Sequence, residues 1–255
     1  MREEDRQRAI RLQLSQMESA PGRRGGRRAG PALSTGFAAL NAALGAGGLP
    51  RGCLVELFGP SCGKTTLALQ VAAHVQKKRW MAAWIDSDHA FDAAYAVKLG
   101  VVLEQMPVVQ PESAEEALEI ARRLAICGAV DLLVVDSAAA LVPSLELETG
   151  IGASGPGLHS RVLASGLRRL AMAVARSDVS VLFLNQTRGR LEPSGGEAET
   201  SAGGPPLKLY AAVRIALGPA GERRVRFRVL KNKVAGGFAE GELAWKPGLG
   251  FAESP

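Results

Sequence analysis

The chain is poor in aromatic residues, 5% of 255 positions, and has only three cysteines. Cys53, Cys62 and Cys127 are an odd number without paired spacing, which argues against a disulfide framework and fits a reducing compartment. No metal-site spacing joins them to His74, His89 or His159. No apolar run approaches the roughly 20 residues of a membrane-spanning helix. Met1 to Arg11 is charged where a secretory signal carries an apolar stretch. A soluble, cytoplasmic protein with no membrane partner is expected.

What the chain has instead is small and apolar residues, 47% hydrophobic with 30 glycines. At this length, that composition can bury the core of one large α/β domain with a small appendage. The formal charge of +6 permits nucleic acid as a partner without requiring it, since solvated lysine and arginine give the same balance.

Residues 2–19 read as a short amphipathic helix with Ile10, Leu14 and Met17 on one face and Leu12 off it. So small a face cannot hold a helix in isolation and needs a surface to dock on, its own core or a neighbouring subunit. Pro21–Gly30 follows, with four arginines among glycines, a flexible basic linker and a candidate phosphate contact. Residues 1–30 are therefore expected as an appendage for oligomerisation and 31–255 as the main domain.

From Pro31 onward, strand and helix patterns alternate. Leu54–Phe58, Met81–Asp86, Leu132–Asp136 and Val179–Leu184 read as buried strands. Lys64–Gln76, Glu115–Ile126 and Leu158–Ala175 read as helices, the second opened by a Ser113/Glu116 capping pattern. This order predicts an α/β fold with a mostly parallel sheet covered by helices on both faces. Leu207–Leu217 and Arg224–Leu230 alternate like strands around a turn at Gly218–Glu222, predicting antiparallel strands at one sheet edge. No internal repeat is present.

The segment Gly59-Pro-Ser-Cys-Gly63-Lys64-Thr65-Thr66 lies between the first strand and a helix, the context of a phosphate-binding P-loop. There, successive backbone N–H groups and a helix N-terminus surround phosphate oxygens. Gly59, Ser61, Cys62, Gly63, Lys64, Thr65 and Thr66 are the candidate ATP-binding residues. Lys64 is placed to reach the β/γ-phosphates and Thr65 to hold Mg²⁺ through its hydroxyl. The usual spacing has four residues between the two glycines, whereas Pro60, Ser61 and Cys62 are three. Either Phe58 takes the first glycine's place or the loop is one residue tighter. Asp136 ends an apolar strand beside the loop, where a carboxylate can hold Mg²⁺.

These motifs, with Ser34-Thr-Gly36, Leu44-Gly-Ala-Gly-Gly-Leu-Pro50, Ile85-Asp-Ser-Asp-His-Ala90, Asn185-Gln186 and Leu230-Lys-Asn-Lys-Val234, resemble the bacterial RecA recombinase family in order from about Leu33 to the C-terminus. The resemblance implies a RecA-like P-loop NTPase core, an ATP- and Mg²⁺-dependent, DNA-stimulated ATPase, and a helical homo-oligomeric filament on single-stranded DNA, in recombination, DNA repair and the damage response. By the same resemblance, Asp88 orients the attacking water, Asp92 and Tyr95 line the adenine pocket, and Gln186 senses the γ-phosphate. Lys231 and Lys233 reach ATP on the next subunit. The DNA loops are Glu148–Gly157 and Thr187–Pro206, the second expected to be irregular. Arg161, Arg188, Arg190, Gly203 and Gly204 are the candidate DNA contacts, with Arg168 and Arg169 on the helix after the first loop.

Several positions depart from the family. Asp88 is a glutamate there, and the shorter acid, together with the shortened P-loop, predicts slower hydrolysis. Pro205 and Pro206 stiffen the second loop's exit, Pro156 alters the first loop, and the second loop lacks a large apolar residue at its middle. The chain stops at Pro255, where the family usually continues into a small C-terminal domain, which puts duplex handling in question. These departures keep open a weakly hydrolysing accessory protein that recruits repair partners, in the damage response or translesion synthesis. A P-loop ATPase without a DNA role is a third reading.

Overall fold

Period-two alternation in the central strands sends neighbouring residues into two separate cores, one on each face of a single sheet. Val55, Leu57, Trp84, Val134, Leu182 and Leu184 face one core, and Leu54, Ile85, Leu133, Val135, Val181 and Phe183 the other. The computed structural model describes residues 30–149, 155, 157–191, 197–236 and 239–253. The expected helix at 2–19 and nearly all of the arginine linker lie outside the described residues, as does Pro156.

The strands are β1 (Cys53–Gly59), β2 (Ala82–Asp86), β3 (Val108–Val109), β4 (Leu132–Asp136), β5 (Ser180–Leu191), β6 (Glu197–Ser201), β7 (Val213–Pro219), β8 (Arg224–Asn232), β9 (Glu240–Lys246) and β10 (Gly250–Glu253). Their order across the sheet is β10-β9-β8-β7-β1-β5-β4-β2-β3, with β6 paired to β5. Pairings from β7 through β1, β5, β4, β2 and β3 are parallel, and β7 to β10 are joined by antiparallel pairings. The expected α/β class with an antiparallel C-terminal edge is what is found.

The helices are α1 (Ala38–Ala43), α2 (Lys64–Lys77), α3 (Ala93–Lys98), α4 (Ala114–Cys127), α5 (Ser144–Glu148), α6 (Leu158–Val174) and α7 (Pro205–Tyr210). α2 covers one face through Leu67, Ala68, Val71, Ala72 and Val75. α4 and α6 cover the other through Leu118, Ala121, Leu163, Leu167 and Leu170. They approach closely at Gly166, where a Cβ would sit 2.4 Å from Leu118 Cδ1. Ser113 caps α4 as expected, its Oγ accepting from Glu116 N at 3.2 Å.

Two expectations need correction, both in the segment after Gln186. The second loop is not irregular: β5 runs on to Leu191 and pairs with β6 as an antiparallel arm, from Thr187↔Ser201 to Leu191↔Glu197. The strand expected over Leu207–Leu217 begins as a helix instead. Pro205 and Pro206 stand at its first positions, where proline costs no hydrogen bond and presets φ. The chain turns extended only at Val213.

Candidate functional site

β1 and β5 run side by side up to Gly59 and Gln186, which are register partners. Phe58 and Gly59 are both buried at the end of β1, and Pro60, Ser61 and Cys62 separate Gly59 from Gly63. Gly59 has φ 153°, and a Cβ there would lie 1.9 Å from the Leu217 carbonyl oxygen, so β7 leaves room only for glycine. Gly63, at φ 98°, begins α2 without any side-chain cap. Gly63 offers the first-turn N–H groups of α2 no side-chain acceptor, which suits them to phosphate oxygens.

Lys64 Nζ donates to the carbonyls of Gly59 (2.8 Å) and Pro60 (2.7 Å), so the ammonium lies against the loop. Burial pushes its pKa down, while the charges of Cys62, Asp136 and Asp88 act the other way. Thr65 Oγ1 donates to Asp136 Oδ2 at 2.9 Å. Burial raises the Asp136 carboxyl to about 6, partly opposed by the Thr65 bond and reinforced by the charges of Asp88 and Asp86. A hydroxyl and a carboxylate at this separation, beside an uncapped helix N-terminus, form a donor set that fits Mg²⁺ bound with a nucleotide.

Asp88 is exposed at the end of β2, next to Asp136. Its Oδ1 accepts from Ser137 N (3.2 Å) and Ser137 Oγ (3.0 Å), and its own N–H donates to Asp136 O at 3.2 Å. The Asp136–Ser137 peptide is cis. Tyr95 reaches the P-loop helix, its hydroxyl 3.0 Å from Thr66 Oγ1. The Asp92 carboxylate is engaged locally, capping α3 by accepting from Tyr95 N at 2.8 Å. Gln186 is exposed at the root of the arm, and its carbonyl accepts from Ala202 N at 2.8 Å.

Lys231 and Lys233 are not drawn to the P-loop within one chain. Lys231 Nζ donates to the carbonyls of Lys208 (2.7 Å) and Leu209 (3.1 Å), at the end of α7. Burial lowers its pKa, and the charges of Lys233 and Arg214 add to that. Of the candidate DNA residues, Gly203 and Gly204 lie against the start of α6. A Cβ on Gly203 would meet Leu163 Cδ1 at 2.8 Å, and one on Gly204 would meet Ser160 Oγ at 3.3 Å, both on the first turns of α6 that carry exposed Arg161. The side chains of Arg188 and Arg190 lie outside the described residues, although their backbone is part of the arm. Arg168 and Arg169 are exposed further along α6.

Sequence reasoning missed three features of this region. A pocket of about 360 Å³ opens beside Ser61, Cys62 and Gly63, with Arg223, Arg224 and Trp245 on its other walls. The Phe251 ring packs on Gly63, and the backbone of Phe251 exchanges two hydrogen bonds with Gln70 of α2, fixing the sheet edge to the P-loop helix. A buried ion pair, Glu56 with Arg214, lies under the loop. Its signal was present in the sequence, as one charge inside each of two apolar strands.

The family described as RecA N-terminal domain matches residues 24–251. Protein RecA of Blastochloris viridis is 43% identical over 268 aligned residues, covering 98% of this chain and 77% of the relative. Protein RecA of Caulobacter vibrioides is 42% identical, covering 98% and 75%. Protein RecA of Geobacter sulfurreducens is 43% identical over 258 residues, covering 94% and 76%.

Proposed function

We infer the function from one premise: the chain belongs to the RecA family. It acts in homologous recombination and DNA repair as an ATP-dependent protein that binds single-stranded DNA and assembles with copies of itself. The observation that carries this reading is the 2.9 Å contact between Thr65 and Asp136, which brings the P-loop and the neighbouring strand end into one Mg²⁺–phosphate donor set.

In this reading Lys64 releases the loop carbonyls to take up β/γ-phosphate charge, while Gly59 and Ser61 through Thr66 surround the phosphates. Thr65 and Asp136 hold Mg²⁺, which when bound neutralises charge on the phosphates. Asp88 orients the attacking water, and Tyr95, with Asp92 behind it, borders the base. Lys231 and Lys233 act on ATP of the adjoining subunit, where added cations neutralise charge in phosphoryl transfer. Residues 1–30 serve assembly and residues 31–255 the ATPase core. Arg161, Arg188, Arg190, Gly203 and Gly204 contact the DNA backbone without reading bases.

Turnover is slow because of the shortened P-loop and of Asp88. Asp88 is one methylene shorter than the glutamate of the family, and its carboxylate is already bonded to Ser137. Hydrolysis of ATP measured with and without single-stranded DNA, using Lys64→Ala as the blank, tests the reading. Stimulation by DNA that falls about 100-fold or more in the variant is expected. Tight ATP binding with no turnover above the blank would replace this reading with the non-hydrolysing accessory protein.

A further inference from the structure

Glu56 and Arg214 are charged residues in the interior of the sheet, 0% and 7% exposed. Glu56 lies on β1, three residues before Gly59. Its two oxygens serve different strands. Oε2 accepts from Arg214 Nε of β7 at 2.5 Å, and Oε1 accepts from Asn185 Nδ2 of β5 at 2.9 Å. Asn185 is itself buried. Its amide also donates to the carbonyl of Ala202 at 3.0 Å, and its Oδ1 accepts from Gln186 N at 2.9 Å. Arg214 Nη2 donates to Ser201 Oγ at 3.2 Å, and its guanidinium lies 4.4 Å over the Phe58 ring.

A buried ion pair is weak grounds for stability, because desolvation offsets much of the attraction and apolar residues of similar volume often do as well. What this pair supplies that leucine or methionine would not is direction. Each of its bonds ends on a segment leading to a functional end. Glu56 leads to the P-loop, Asn185 to Gln186 and the outgoing strand of the arm, and Ser201 and Ala202 belong to its return. Arg214 is also the register partner of Lys231 across β7 and β8, with a bulge directly after it. The outgoing strand of the arm is thus held at its base by Glu56 of the strand that enters the P-loop, and the return is held by Arg214 and Asn185, the two residues that share Glu56.

We propose that the Glu56–Arg214–Asn185 network is a positioning device that couples nucleotide binding at the P-loop to DNA binding by the β5–β6 arm. The inference rests on the function proposed above and adds residues that touch neither ligand. Coupling of this kind is a ratio of affinities, so it can be read apart from activity. ATP at one end and DNA at the other must change each other's affinity by the same factor.

The test uses the full chain with Glu56→Gln, Arg214→Lys and Ser201→Ala. Three quantities are measured: the affinity for a fluorescent ATP analogue without DNA, and the affinity for a labelled single-stranded oligonucleotide with and without ATP. The factor by which ATP tightens DNA binding is expected to fall about fivefold or more in Glu56→Gln and Arg214→Lys, with ATP affinity alone changed less than about threefold. An unchanged factor in folded variants overturns the proposal, as does a parallel loss of ATP and DNA affinity. Where the two charge variants fail to fold, Ser201→Ala decides, since it removes one hydroxyl at the arm's base. A drop of about threefold in the factor supports the proposal, and no drop overturns it. Wild-type protein whose DNA affinity ignores ATP would instead overturn the parent reading, and this inference with it.

Discussion

β1 and β5 run side by side in parallel register and reach the same edge of the sheet, yet they end in opposite ways. β1 stops at Gly59, where the backbone passes against the Leu217 carbonyl at a positive φ and folds at once into the loop and α2. β5 passes its partner residue, Gln186, and continues for five more residues into the arm. The first ending is enforced by local stereochemistry and close packing. The second depends on ten residues pairing with each other, from Thr187↔Ser201 to Leu191↔Glu197. A site built from both endings joins a part shaped in advance with a part held mainly at its base.

Substitutions can break that contrast. The largest effect is expected from Gly59→Ala, because its Cβ would collide with backbone that has little room to move. A loss of roughly 3 kcal/mol or more in chemical denaturation, with ATP binding abolished, is predicted. Stability within about 0.5 kcal/mol of wild type would show that β7 yields easily and that the loop is not shaped by it. Gly166→Ala probes packing away from the site. It forces Leu118 aside between α4 and α6, and a loss of about 1–3 kcal/mol with ATP affinity retained is expected from the denaturation midpoint and a nucleotide titration. Loss of ATP binding there would mean that the helix layer, rather than the strand ends, sets the site.

Asp88→Glu sharpens the comparison from the catalytic side. It restores the family's longer acid at the end of β2 and is predicted to raise kcat for ATP about tenfold while leaving ATP affinity nearly unchanged. An unchanged or lower kcat would assign the slow turnover to the shortened loop, not to the acid.

The same contrast explains what could be read from the chain. The segment of the P-loop, the strand ending at Asp136, the other central strands and the three long helices were legible because each rests on a run of neighbouring residues: an apolar strand, a Gly63-Lys64-Thr65 turn, a Ser113 cap. The loop's first glycine was ambiguous because three residues, Pro60, Ser61 and Cys62, stand where the usual spacing has four. The arm was not legible, because its polar, glycine-containing segments have weak strand propensity and gain order only from each other. Leu207–Leu217 alternated like a strand, yet the paired prolines Pro205 and Pro206 start a helix whose last carbonyls bind Lys231. Glu56 and Arg214 were visible as charges among apolar neighbours, but their pairing joins strands 158 positions apart in the chain.

The central claim is that ATP and single-stranded DNA bind this chain as linked ligands. Fluorescence anisotropy of a labelled single-stranded oligonucleotide, titrated with protein at several salt concentrations with and without ATP and Mg²⁺, tests it most directly. Affinity at least fivefold higher with ATP is expected, with a fall in affinity as salt rises at a log–log slope of about −0.7 per phosphate contacted. Affinity indifferent to ATP at every salt concentration, or no binding at low salt, would contradict it.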